Sequence, residues 1–139
     1  MINMDFYLDS NIFIFAALAN DSKAKKAKEL IKQVILGKSS ASTSTLTIDE
    51  VVWKIWKETK NRALAIEEGL RILQFDNLFF INISDKIILN SLELMKKNTN
   101  LKPRDAIHLS AALSVNANII VSDDSDFDNL KEIKRKSLD

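Results

Sequence analysis

The chain has 139 residues, enough for one domain with a real core, and its 46% hydrophobic content with only two glycines and one proline predicts an ordered, helix-rich fold. Twenty basic against nineteen acidic residues leave a net charge of +1, so no strongly basic surface announces a nucleic-acid binder, and attraction to a polyanion must come from local patches and bound cations. With no cysteine, disulfides and thiolate metal sites are excluded, and no apolar run approaches the roughly 18 residues of a membrane span.

The first stretch, Asn3 to Phe15, is apolar on both sides of a single carboxylate, Asp9. Its part up to Leu8 is short and rich in Phe and Tyr, which predicts a buried strand, while Ile12 to Leu18 has the composition of a helix. Asp9 then closes a central strand just before a helix, where open parallel sheets bind ligands. Asp21-Ser22 reads as the cap of a second helix carrying Ala24, Ala27, Ile31, Val34 and Ile35, which Gly37 ends. Ser39 to Thr45 is polar but partly β-branched, and predicts a short strand. Thr47-Ile48-Asp49-Glu50 opens a helix with Val51, Val52, Ile55 and Trp56. Asn61 separates it from another, in which Ala63, Ile66, Leu70 and Leu73 share the face expected to pack.

Leu78 to Ile81 reads as a buried strand, and Ser84-Asp85 caps a helix bearing Ile88, Leu92 and Met95. Pro103 stands where a helix starts, with Ala106 to Val115 forming its small-residue body. Asn118 to Ser122 is a further apolar strand. Asp123 to Leu130 predicts a turn or short helix, and the basic tail an edge strand around Ile133. Alternating strands and helices predict an α/β fold: a single domain over residues 1–139, three layers, with a central parallel sheet covered on both faces. No basic leader with a small-residue cleavage site opens the chain, so the expected location is cytoplasmic, away from any membrane.

Four acids stand out by context. Asp9 and Asp124 each follow an apolar strand, and Glu50 and Asp105 are expected in first turns of helices at the same sheet edge. Four like charges are costly to gather unless a cation binds between them, and oxygen-only ligands suit Mg²⁺, with Mn²⁺ as an alternative. Each acid also has a plainer reading. Thr47-x-x-Glu50 fits a capping box, Asp105 can complement a helix dipole, and Asp124 lies in an acidic turn. Competing chemistries lack their parts: His108, the one histidine, has no Gly-x-Ser-x-Gly partner, and two glycines make no phosphate loop. Asn11 stands where a phosphoaspartate enzyme carries a second Asp, and Asn82 where a phosphorelay receiver carries its Asp. His108, three residues after Asp105, reads as a residue behind the site or on the surface. Trp53 and Trp56 are helical neighbours interleaved with Lys54 and Lys57, and read either as core or as a partner interface.

Leu8-Asp9-Ser10-Asn11, Glu50 within Thr47 to Val51, Lys102-Pro103-Arg104-Asp105-Ala106-Ile107-His108, and Val121-Ser122-Asp123-Asp124-Ser125-Asp126-Phe127 together resemble the PIN domain family, and within it the VapC-type toxins of toxin–antitoxin pairs. The resemblance implies a sheet of order 3-2-1-4-5 and Mg²⁺-dependent RNA cleavage silenced by a cognate antitoxin. It implies Asp9, Glu50, Asp105 and Asp124 as catalytic metal ligands, Asp126 as an accessory acid, and Ser10, Asn11 and Ser122 as residues orienting the acids. Lys102 and Arg104 are the nearest candidates for the RNA backbone, and a homodimer is expected. Ser122 replaces the commoner Thr. Asp123 stands where a basic or neutral residue is usual, so the metal-facing acid of this pair is taken as Asp124 by register with Phe127. A non-catalytic RNA- or protein-binding module of the same fold, and a structure-specific DNA nuclease, are the alternatives.

Overall fold

The computed structural model describes residues 4–139; Asn3, where the first apolar stretch opens, lies outside them. Five parallel strands, β1 (Phe6–Leu8), β2 (Ala41–Ser44), β3 (Leu78–Ile81), β4 (Ile119–Val121) and β5 (Lys134–Lys136), form one sheet of order β3-β2-β1-β4-β5. The expected three-layer α/β architecture and strand order are thus observed. Side chains alternate across the sheet, so adjacent residues feed different cores. Tyr7 and Ile120 pack beneath α5 (Asp85–Lys97) and α6 (Pro103–Ser114), with Leu109 and Phe127. Leu8 and Val121 pack on the other face, under α1 (Ser10–Leu18), α2 (Ser22–Ile35), α3 (Thr45–Thr59) and α4 (Arg62–Leu73).

Local chemistry sets the helix ends. Asp21, Asn61 and Ser84 accept hydrogen bonds from the backbone N–H groups of Ala24, Leu64 and Ile87, satisfying first-turn donors of α2, α4 and α5. Gly37 follows α2 with φ 75°, a left-handed conformation that glycine adopts without Cβ cost.

β2 departs from the rule that buried parallel strands are apolar. Ala41-Ser42-Thr43-Ser44 is wholly buried, and its hydroxyls are satisfied: Thr43 Oγ1 donates to Leu8 O at 2.8 Å, Ser42 Oγ to Phe6 O at 3.3 Å, and Ser44 Oγ accepts from the Tyr7 hydroxyl at 2.9 Å. β3, by contrast, is an edge strand and half-covered, with Phe79 38% exposed.

Two helices turn a different face inward from the one their periodicity predicts. In α4 the buried residues are Ala65, Gly69 and Ile72, and the row Ile66, Leu70 and Leu73 points to solvent. In α5 the buried residues are Ile87, Ser91 and Leu94, while Ile88 and Leu92 are exposed. Close approach explains α4: a Cβ at Gly69 would lie 2.7 Å from Val52 Cγ2 on α3, so only a small-residue row fits there. Gly69→Ala tests this. Helix propensity alone would favour Ala by about 1 kcal/mol. The clash with a stiff β-branched side chain reverses the sign, for an expected net loss of about 1 kcal/mol in urea denaturation.

The strand order reverses between β1 and β4. The crevice outside their carboxyl ends is the binding position of open α/β sheets, and Asp9, Ser122 and Asp124 all follow these two strands.

Candidate active site

Asp9 leaves β1 and caps α1, and its side chain is only 7% exposed. Burial of a charge requires donors, and it has them: Oδ1 accepts from the Ser10 N–H at 2.7 Å, and Oδ2 from Ser122 Oγ at 2.6 Å and Asn11 Nδ2 at 3.3 Å. Capping and site membership therefore coincide in one residue. Ser122 Oγ also accepts from the Asp124 N–H at 3.0 Å, and Asn11 Oδ1 from the Asp123 N–H at 3.3 Å. These small polar groups tie the loop after β4 to the end of β1.

That loop turns its two adjacent acids apart. Asp123 is held outward by Lys23, whose ammonium reaches both carboxylate oxygens at 3.0 and 3.1 Å. Asp124 turns inward, accepts from the Asp126 N–H at 2.9 Å, and lies with Asp105 and Asp126 so that their oxygens are within 4.8 Å of one another. Arg135 fixes the loop from behind, donating to Ser122 O at 3.0 Å and pairing with Asp128 at 2.7 Å. Lys23 lies 100 residues from Asp123, and no local pattern announces the pair.

Glu50 is reached differently from the sequence expectation. α3 begins at Thr45 after Ser44, so Glu50 lies in its second turn. Thr47 Oγ1 bonds Thr43 Oγ1 at 2.7 Å, and Glu50 Oε1 meets His108 Nε2 at 2.5 Å, which excludes the capping box. His108 is buried and so not a surface residue; its Nδ1 lies 2.7 Å from the Tyr7 hydroxyl, and Nε2 lies 3.5 Å from Asp9 Oδ1. A line Ser44–Tyr7–His108–Glu50 thus runs from β2 through the core to the site. Tyr7 escapes a sequence reading focused on acids, although a lone tyrosine in a buried strand needs a partner for its hydroxyl.

Electrostatics follow from this packing. Burial, then the charges of Asp124, Asp9 and Asp126, push the Asp105 carboxyl up to about 6, against a smaller opposing pull from His108. Burial by itself would lower the His108 pKa, but Tyr7, Glu50 and Asp9 outweigh it and hold the imidazole well above its ordinary value. Two groups of convergent ligands result, Asp9–Glu50–His108 and Asp105–Asp124–Asp126. The imidazole is engaged by Glu50 and Tyr7, leaving carboxylate oxygens as the available donors. Hard oxygen donors, gathered where burial and neighbouring charge together raise a carboxyl pKa, fit a divalent cation such as Mg²⁺ or Mn²⁺.

Lys102 Nζ stands 3.6 Å from Asp126, and Arg104 is exposed beside Asp105 and Glu50. Neither Trp is core: Trp53 is 57% and Trp56 41% exposed, packed edge to face at 5.9 Å.

The sequence model of the PIN domain matches residues 6–133. Among solved structures, the VapBC2 complex of Rickettsia felis, bound to a DNA fragment from its promoter, has a TM-score of 0.73 at 16% identity over 99% of this chain and 98% of the other. VapC20 of Mycobacterium tuberculosis, a toxin described as cleaving the sarcin–ricin loop, gives 0.71 at 13% identity over 92% and 98%. A toxin–antitoxin complex from Klebsiella pneumoniae gives 0.65 at 22% identity over 91% and 93%. Likeness at these identities is likeness of fold. No curated protein matches the chain in sequence.

Proposed function

The chain belongs to the PIN domain family, and from that premise we propose that it is a divalent-metal-dependent endoribonuclease, the toxin of a type II toxin–antitoxin pair acting in the cytoplasm. The observation that carries the reading is the gathering of carboxylates at the switch point, Asp9 with Glu50 and Asp105 with Asp124 and Asp126, where burial and then the neighbouring charges push Asp105 up to about 6. Such repulsion costs stability in the absence of a cation and favours binding of one. In this reading Asp9, Glu50, Asp105 and Asp124 hold the metal, and Asp126 assists. Bound there, Mg²⁺ supplies an acidified water and neutralises charge on the scissile phosphate. The protein does the rest. Ser122, Asn11 and the Ser10 N–H fix the Asp9 carboxylate, His108 orients Glu50, and Lys102 and Arg104 draw in the phosphate backbone.

Partner binding is supported by apolar surface that the fold leaves open. A groove of about 330 Å³ between α1, α2 and α4, floored by Phe13, Ile31 and Ile72 and rimmed by Lys28 and Lys32, suits an apolar antitoxin segment with acidic flanks. The outward row Ile66, Leu70 and Leu73, together with Trp56, suits association with a second copy of the chain.

Paired substitutions in the loop after β4 test the catalytic reading. In Mg²⁺-supported cleavage of single-stranded RNA, Asp124→Asn should abolish activity, whereas Asp123→Asn should keep most of it. Equal activities would remove Asp124 from the site. A wild-type protein silent with both Mg²⁺ and Mn²⁺ would instead mark a binding module, and cleavage confined to branched DNA a structure-specific DNA nuclease.

A further inference from the structure

Resting on the ribonuclease reading, we propose that Trp53 is a stacking platform for an unpaired nucleobase next to the scissile phosphate, in a cleft walled by Ile14 and rimmed by Lys54 and Arg104. Trp53 lies three residues after Glu50 on α3, so its ring stands one helical turn from that acid. The two share a cleft of about 430 Å³ with Ser10, Ile14, Asp49, Lys54 and Arg104, within the roughly 300–1,000 Å³ of ligand sites.

The helix does not need Trp53 for packing. Val51 and Ile55 are its fully buried contacts, and Trp53 is 57% exposed. Yet the ring is held in place. Trp56 packs against it with an interplanar angle of 84°, and the Arg62 guanidinium covers the Trp56 ring at 5.7 Å. A large exposed aromatic, buttressed from behind and standing beside a candidate catalytic carboxylate, has the geometry by which proteins capture splayed single-stranded bases. The charges agree. Among the described residues Arg104 makes no ion pair and Lys54 makes one, a 2.9 Å surface contact with Glu58 that is weak in water, so both are available to phosphates on either side of a stacked base. Glu50 lines the cleft and also belongs to the group of convergent ligands with Asp9, so the cleft opens onto the proposed cation site.

RNA is the favoured occupant over a second copy of the chain because the cleft is continuous with the acid cluster. A second copy of the chain seated on Trp53 would cover Glu50 and Ser10, and so close the site in the active protein itself.

The test uses Trp53→Ala and Trp53→Phe in the full chain, with a single-stranded RNA hexamer and the same hexamer bearing an abasic ribose at its central positions. Trp53→Ala should weaken binding of the intact hexamer by about tenfold, raising KM more than it lowers kcat, with Trp53→Phe recovering most of the loss. The abasic hexamer should bind wild type and Trp53→Ala alike. In a Trp56→Phe background, the fluorescence of Trp53 should be quenched by the intact hexamer and not by the abasic one. The inference is overturned if wild type cleaves RNA and Trp53→Ala does so with unchanged KM, or if both hexamers lose equally. It is also overturned if the substitution only converts a dimer to a monomer in sedimentation. A wild-type protein that neither cleaves nor binds the hexamer overturns the ribonuclease reading and the platform together.

Discussion

Asp105→Asn should abolish Mg²⁺-dependent RNA cleavage, by about a hundredfold or more, while making the metal-free protein more stable at neutral pH. Stability and activity move in opposite directions because the folded protein holds this carboxyl at about 6, through burial and then the charges of Asp124 and Asp9, against an ordinary 3.8 in the unfolded chain. Between those values the folded state binds the proton and the unfolded state does not. Metal-free wild type therefore gains stability as pH falls from 6 toward 3.8, and carries the full cost of the charge above 6. Asp105 is half-exposed, and after allowance for solvent screening the cost is about 1 kcal/mol, or ~3 °C in melting temperature for a chain of this size. Asn removes that cost. Mg²⁺ should reverse the ranking, stabilising wild type and leaving Asp105→Asn unchanged. Cation and proton compete for the same oxygens, so metal affinity in wild type should fall below pH 6.

His108→Ala should be the most damaging substitution behind the site. The imidazole is 1% exposed and bridges Tyr7 and Glu50, so its removal leaves a cavity and strips both groups of a partner. The expected loss is about 3 kcal/mol, or ~10 °C. The penalty depends on pH with a definite sign. A histidine whose folded pKa is raised contributes fully below its unfolded value of 6.5, and loses that contribution as pH rises through the folded pKa. The difference between wild type and His108→Ala should therefore be largest at or below 6.5 and shrink in alkaline solution, as read by denaturant titration. Glu50 also loses its orienting contact, so metal affinity should fall by about tenfold or more in the variant. An unchanged affinity would separate Glu50 from the metal.

Asp9 and Asp124 are legible in the sequence because each follows a short apolar strand, and parallel strands deliver such residues to one edge. Glu50 stands out by its place near a helix start, but its turn is misread, since nothing local shows that α3 starts at Thr45. The polar strand β2 hides its centrality because its hydroxyls are satisfied by Leu8, Phe6 and Tyr7, all distant in sequence. On α4 and α5 periodicity offers two apolar rows, and it weighs hydrophobicity without size. Packing instead selected the row with Ala65 and Gly69, because α3 passes within contact of Gly69. The larger side chains were left outward, where the proposed partners would cover them. The division of labour between Asp123 and Asp124 depends on Lys23, which spacing cannot bring near.

The central claim, that the gathered acids form a metal-dependent ribonuclease site, is met most directly by the cleavage of single-stranded RNA by purified wild type and Asp9→Asn, each with Mg²⁺ and with EDTA. Asn keeps the oxygen that accepts from the Ser10 N–H, its amide NH2 can donate to Ser122 Oγ where Oδ2 accepted, and one of the gathered charges is removed, so the fold should persist with a similar melting temperature. A metal-dependent site requires cleavage by wild type in Mg²⁺ alone, and none by Asp9→Asn in either condition. Cleavage by the variant at the wild-type rate, or by wild type in EDTA, would contradict it.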